Sequence, residues 1–321
     1  ALTNTATTTI TVTTINDAPS VNDQSFNVDE NSLNSVVVGV VVASDPEDDD
    51  LSFSIISGNT NGAFAVETGT GEITVNNGIE LDRETTQQYS LGVQVTDDGD
   101  PMEMTESTIV IEINDVNEPP TLNSDTFEIL ENSPNSTEVG VLTASDPDVG
   151  EVLSWSFTGG NIGNAFAIDN GRIIVANRSG LDFETTPSFS LEVRIDDGEF
   201  TDDAIVEVNL TNANDPPMVD ERTVSVPENT PNLTTILTLT AIDADNDDLT
   251  WSIEAGNTGN GFAVNPVTGE LTVNNSSQLD REVNQGFLLT VRATDDGEPS
   301  QFGEAAVTIN ISNQNEAPSL S

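Results

Sequence analysis

Apolar and polar residues alternate along this chain in short runs. Phe26-Asn27-Val28, Leu51-Ser52-Phe53-Ser54-Ile55 and Tyr89-Ser90-Leu91-Gly92-Val93-Gln94-Val95 place every second side chain on one face, and clusters of Gly, Asn, Asp and Pro separate the runs. A period of two predicts strands with one face in a core and the other in water, as in antiparallel sheets. The acidic, aromatic-poor composition would also suit disorder, but a disordered chain has no reason to keep this alternation.

The runs are organised into a repeat. Linker-like words stand at Asn16-Asp17-Ala18-Pro19, Asn117-Glu118-Pro119-Pro120, Asn214-Asp215-Pro216-Pro217 and Asn315-Glu316-Ala317-Pro318, offset by 101, 97 and 101 residues. A period of about 100 residues suits one seven-stranded sandwich better than a solenoid unit. The predicted fold is all-β: tandem seven-stranded Greek-key β-sandwiches in a linear rod. Residues 16–116, 117–213 and 214–314 make three whole repeats, with 1–15 read as the final strand of a preceding, truncated repeat and 315–321 as a linker to a following one.

Five words return in fixed order. Asp29-Glu30-Asn31, Leu130-Glu131-Asn132 and Pro227-Glu228-Asn229 come first, then Asp45-Pro46-Glu47, Asp146-Pro147-Asp148 and Asp243-Ala244-Asp245. Gly71-Glu72-Ile73, Gly171-Arg172-Ile173 and Gly269-Glu270-Leu271 precede Leu81-Asp82-Arg83-Glu84, Leu181-Asp182-Phe183-Glu184 and Leu279-Asp280-Arg281-Glu282. Asp97-Asp98-Gly99, Asp196-Asp197-Gly198 and Asp295-Asp296-Gly297 lead into the last strand. Each Asp-Asp-Gly alone is an ordinary turn word; five words in register, three times over, carry more. Together they resemble the cadherin repeat, and the resemblance covers nearly the whole chain. The short, Lys-free repeats rich in Thr, Asn and Asp look more like bacterial cadherin-like modules than vertebrate ones.

The resemblance implies Ca²⁺ at the junctions and assigns its ligands. Between repeats 1 and 2, Glu30, Asp82 and Glu84 would meet Asp115, Asn117 and Glu118 of the linker and Asp146, Asp148 and Asp196, around three Ca²⁺ ions. Between repeats 2 and 3 the set is Glu131, Asp182, Glu184, Asn212, Asn214, Asp215, Asp243, Asp245 and Asp295. Asn212 stands where the first linker has Asp115, leaving seven carboxylates against eight, so the second junction is expected to fill at higher Ca²⁺. Phe183 replaces the Arg of the Leu-Asp-Arg-Glu word, which is not a ligand in the family. Half-sites with weak or partial occupancy are expected at both ends: Asn16, Asp17, Asp45, Glu47 and Asp97 in repeat 1, and Glu228, Asp280, Glu282, Asn313, Asn315 and Glu316 after repeat 3. Glu47 departs from the family's Asp by one methylene.

Composition points the same way. There are 56 acidic and 7 basic residues, a formal charge of −49, and every basic residue is Arg. Such a charge excludes nucleic acid and anionic lipid surfaces as natural partners and opposes a compact state unless counter-cations bind. With no Cys, His or Lys, disulfides, thiolate and imidazole ligands, Ser/His/Asp or Cys nucleophiles and Schiff bases are ruled out. Any metal site is all oxygen, which favours Ca²⁺. No signal peptide or membrane span is evident, the chain begins in a strand-like run at Ala1 to Thr14, and export is inferred from the resemblance.

Trp155 and Trp251 align with Phe53 on an alternating run, which assigns them to the core, not to an exchanged adhesive anchor. Phe64, Phe166, Phe262, Tyr89, Phe189 and Phe287 are core by the same argument, and only Phe183, Phe200 and Phe302 fall outside the shared pattern. Paired carboxylates also serve glycoside hydrolysis, yet each pair recurs in all three repeats and no singular cleft-like set stands out. An enzyme is therefore not expected. The reading is a spacer or adhesion segment stiffened by Ca²⁺, with Ca²⁺-dependent binding of a polysaccharide or of like repeats on another cell as the alternative.

Overall fold

A computed structural model describes residues 3, 5–10 and 15–315. Residues 5–10 carry no strand. The chain forms two compact units, one of residues 1–122, 143–154 and 194–203, the other of 123–142, 155–193 and 204–321.

Repeat 1 shows how the pattern becomes a sandwich. Its segments are β1 (Ser20–Val21), β2 (Gln24–Asp29), β3 (Val37–Val40), β4 (Ala43–Ser44), β5 (Ser52–Ser57), β6 (Phe64–Val66), β7 (Glu72–Val75), β8 (Gln88–Thr96) and β9 (Met104–Asn114). β1 with β2 and β3 with β4 are halves of two interrupted strands, which gives seven. One sheet has the order β2-β9-β8-β5 and the other β3-β7-β6, with β1 paired to β4. β2 runs parallel to β9, Val28 opposite Ile113, while β8 and β9 are antiparallel, Leu91 opposite Ile109. The first strand thus changes partners between β1, paired with β4, and β2, paired with β9. Repeats 2 and 3 hold the same elements in the same sheet orders.

The alternation is what buries the core. Along β8 and β9, Leu91, Val93, Val95, Ile109, Ile111 and Ile113 are fully buried, and the residues between them are half-buried or exposed. Phe64 meets Tyr89 edge-to-face at 5.1 Å, and Phe166–Phe189 and Phe262–Phe287 repeat the contact at 4.9 and 5.0 Å. Such pairs contribute about 0.5–1.5 kcal/mol beyond the area they bury. Trp251 and Phe53 are buried as expected and Trp155 is half-buried. Phe302 is exposed, with the Arg292 guanidinium 4.1 Å from its ring centre. Gly58 follows β5, whose register shifts between Ile55 and Ser57: its φ is +75°, and a Cβ there would strike the Ser90 carbonyl.

Candidate metal centres at the repeat ends

Each repeat places one buried glutamate where β2 or its equivalent runs out. Glu30 is 2% exposed; its Oε2 accepts from Arg83 N–H at 2.6 Å and its Oε1 from Val116 N–H at 2.8 Å. One carboxylate therefore ties the Leu-Asp-Arg-Glu turn to the linker. Glu131 does the same with Phe183 and Ala213, both at 2.7 Å, and Glu228 with Arg281 at 2.9 Å and Gln314 at 2.5 Å. Burying these charges is tolerable because each oxygen takes a backbone donor. The following Asn31, Asn132 and Asn229 have φ between 55° and 59°, a left-handed conformation that Asn tolerates better than most residues. Two of them reach the linker: Asn31 Nδ2 donates to Glu118 Oε1 at 2.6 Å and Asn132 Nδ2 to Asp215 Oδ1 at 2.8 Å.

Around the glutamates the sequence-predicted residues converge in part. At the first junction Glu30, Glu84, Asp115 and Asp148 each bring one oxygen within 4.8 Å of the others. The second-junction group is Glu131, Asp182 and Glu184, and the group at the end of repeat 3 is Glu228, Asp280 and Glu282. Asp82 and Asp182 also cap their own turns, accepting from Thr85 and Thr185 N–H at 2.9 and 2.8 Å. Asn313 Nδ2 donates to Glu282 Oε1 at 3.2 Å, Asn315 is exposed, and Glu316 lies outside the described residues.

The opposite face of each site comes from the next repeat. Asp148 Oδ2 accepts Glu118 N–H and Asp245 Oδ2 accepts Asp215 N–H, both at 2.7 Å. Glu47 takes the Asp17 N–H at 3.1 Å, so the longer side chain makes the bond of its Asp counterparts. Asn212 Nδ2 donates to Asp245 Oδ1 at 2.8 Å. In repeats 1 and 3 the linker asparagine is held by a loop carbonyl: Asn16 Nδ2 donates to Pro101 O at 2.8 Å and Asn214 Nδ2 to Pro299 O at 3.0 Å. Asn117 instead donates to Asp197 Oδ2 at 3.3 Å. Asp97 and Asp295 are buried, whereas Asp196 is half-buried and accepts from Gly198 N–H at 2.7 Å.

Crowding leaves its mark on protonation. The Glu84 carboxyl sits above the usual carboxylate range through desolvation, against its own N–H, with Glu30, Asp115 and Glu118 adding to the rise. Glu184 is raised by desolvation, again against its own N–H, and by Glu131, Asp245 and Asp215; Asp215 is raised by desolvation and then by Glu131. Two residues absent from the sequence-predicted set behave likewise: Asp49 is raised by desolvation and Asp45, Asp247 by desolvation and Asp243. Their signal in the sequence was a third acidic residue at a spacing of two.

Six buried oxygens here have no hydrogen-bond partner among the described residues: Asn16 Oδ1, Asp45 Oδ2, Asp146 Oδ2, Asn214 Oδ1, Asp243 Oδ2 and Asp295 Oδ2. All belong to the expected sites. Buried acceptors without donors are costly, and an all-oxygen, carboxylate-rich donor set fits a hard divalent cation.

Comparison with known proteins bears on the whole chain. A family model described as the cadherin domain matches residues 24–114, 125–211 and 222–312. The Drosophila melanogaster protocadherin-like wing polarity protein stan is 34% identical over 284 residues, 83% of this chain but 8% of that protein. The chain thus spans under a tenth of this curated relative. Mouse cadherin-23 EC22-24 superimposes with a TM-score of 0.65 at 24% identity, covering 94% of this chain and 100% of that one. Protocadherin gammaB7 EC3-6, a cis-dimer, matches with a TM-score of 0.63 at 23% identity over 92% and 74%. These structural matches speak for the fold. Relatives at 30–34% identity include fly, human and mouse proteins, which do not support the bacterial module type that the composition suggested.

Proposed function

Because this chain belongs to the cadherin family, with three cadherin domains in tandem, we propose that it is a Ca²⁺-stiffened extracellular spacer or adhesion segment of a longer cell-surface or secreted protein. The observation that carries this reading is the meeting of Glu30, Glu84, Asp115 and Asp148 within 4.8 Å, from both sides of one linker. Like charges so close repel by roughly 1–4 kcal/mol per pair at intermediate effective dielectric. No helix among the described residues is long and apolar enough to cross a membrane.

The chain's own residues fix the linker first. Glu30 and Glu131 hold the linker N–H groups from the preceding repeat, and Asp148 and Asp245 hold them from the following one. Asp82, Glu84, Asp115, Glu118, Asp146 and Asp196 would complete the donor set at the first junction, and Asp182, Glu184, Asp215, Asp243 and Asp295 at the second, with Asn117, Asn212 and Asn214 as neutral oxygen ligands. Bound Ca²⁺ would supply the compensating charge and join the two repeats through shared ligands. Load applied to one repeat then passes to the next through ligand bonds as well as through the backbone.

The partner favoured by this reading is a like repeat, on the same or another cell, as in the cis-dimer named above. A polysaccharide partner finds no support among the matches. Thermal melts and small-angle scattering in EDTA and in millimolar Ca²⁺ test the proposal. Ca²⁺ should raise the melting temperature and extend the scattering profile; identical melts and profiles in both buffers would overturn it.

A further inference from the structure

Asp247 follows Asp243 and Asp245 at a spacing of two, and the loop turns back through Asn246 at φ 64°. That turn brings one oxygen of each of the three aspartates within 4.8 Å of the others. Asp248 N–H donates to Asp296 Oδ1 at 2.9 Å, which clamps the loop against the Asp295-Asp296-Gly297 turn. Gly297 comes so near that a Cβ there would strike both Asn214 Oδ1 and Asp247 Oδ2. These two acceptors therefore face one small space.

Acidic clusters are common without a ligand, but this one is ringed by oxygens that lack donors. Asp295 is 4% exposed; its Oδ1 accepts from Gly297 and Gln301 N–H at 3.2 and 2.8 Å. Its Oδ2 is buried without a partner, as are Asp243 Oδ2 and Asn214 Oδ1. Repeat 1 shares the loop turn and two of the unpartnered oxygens, with Asp48 at φ 61°, Asp50 N–H donating to Asp98 Oδ1 at 3.0 Å, and Asn16 Oδ1 and Asp45 Oδ2 unpartnered, while its Asp97 Oδ2 accepts from Asn16 Nδ2 at 3.0 Å. Repeat 2 has Val149-Gly150-Glu151-Val152 in this loop and no third Asp.

On the junction reading given above, we propose that Asp247 is a further carboxylate ligand of the cation at the start of repeat 3, beside Asp243, Asp295 and Asn214 Oδ1, and that Asp49 is its counterpart in repeat 1. The second junction then regains the carboxylate lost at Asn212. Eight stand on each side, and the expected ranking of the two junctions by charge count disappears.

The test is Ca²⁺ titration of the full chain by calorimetry and thermal shift, comparing wild type with Asp247→Asn, Asp49→Asn and the exposed neighbour Asp248→Asn. Asp247→Asn and Asp49→Asn should each shift the midpoint of one class of sites upward by about tenfold, and Asp248→Asn should leave it in place. In EDTA, Asp247→Asn should melt at or above the wild-type temperature, because its repulsion with Asp243 and Asp245 is gone. An unchanged midpoint, an equal shift in Asp248→Asn, or a lower melt in EDTA overturns the ligand role. A wild type that ignores Ca²⁺ overturns the junction reading itself, a distinguishable result.

Discussion

At the first junction Asp115 joins Glu30, Glu84 and Asp148 in one tight group of carboxylates, whereas at the second Asn212 donates its amide to Asp245 at 2.8 Å. Asp148 and Asp245 are equivalent positions, so one substitution turns a repulsive contact into a hydrogen bond. On the proposed reading the first junction would depend on an added cation to hold that contact, whereas the Asn212–Asp245 bond partly assembles the second without one. Ligand count and pre-organisation are thus separate quantities.

Chelation gives the largest effect. A site filled at one hundred times its dissociation constant adds about 2.7 kcal/mol to stability, so EDTA should lower the melting temperature by several degrees. The comparison adds an order of events: backbone exchange in the 115–118 linker should rise before that in 212–215. Hydrogen-exchange mass spectrometry at stepwise lower Ca²⁺ reads this directly, and simultaneous opening would break the contrast.

Glu30→Gln and Glu131→Gln should come next and should match each other. Each replaces an oxygen that accepts a backbone N–H with an amide that cannot, at a cost of about 1–3 kcal/mol. Equal losses by chemical denaturation would place the difference between junctions in the facing loops. A much larger loss at Glu131 would move it to the glutamates.

Asp115→Asn imposes the second junction's solution on the first. In EDTA it should stabilise the chain by about 0.5–1.5 kcal/mol through a new amide bond to Asp148, and in Ca²⁺ the gain should vanish or reverse as a charged ligand is lost. A loss in both buffers would show that Asp115 is not held against Asp148 by repulsion.

The strands and the positions of the glutamates were legible because each rests on a pattern repeated in register: Leu91, Val93 and Val95 alternate, and Glu30, Glu131 and Glu228 recur before Asn; the burial of those glutamates was not. The role of Asn31 and Asn132 was not, since a left-handed φ and an amide reaching Glu118 or Asp215 leave no periodicity behind. Nor was the exchange of duties within Asp196-Asp197. There the loop is shorter, Asp197 Oδ1 takes Glu199 and Phe200 N–H, and Asp196 is left half-buried, whereas Asp97 and Asp295 accept the loop's N–H groups and are buried. Asp247 was not legible because Asp-rich turns are ordinary, and only its convergence with Asp243, Asp245 and Asn214 marks it out.

Acidification gives the smallest effect and bears on the same contrast. Without metal, Glu84 at the first junction and Glu184 and Asp215 at the second all titrate above the usual range, chiefly through desolvation with neighbouring carboxylates adding to it. A carboxyl whose pKa is higher in the folded than in the unfolded state holds more protons when folded. Its stabilising contribution is full below the unfolded value, near 4, and is lost as pH rises through the folded value. Melting temperature in EDTA should therefore rise slightly, on the order of 1 °C for such exposed groups, as pH falls from 7 towards 5. Ca²⁺ reverses the sign, because its ligands must be deprotonated. The second junction has Glu184 and Asp215 raised, with Asp247 raised in the facing loop, against Glu84 alone, so Glu184→Gln with Asp215→Asn should flatten the EDTA profile more than Glu84→Gln does. If Glu84→Gln flattens it as much, the metal-free second junction is no more crowded at these positions than the first, and its partial assembly rests on the Asn212–Asp245 bond alone.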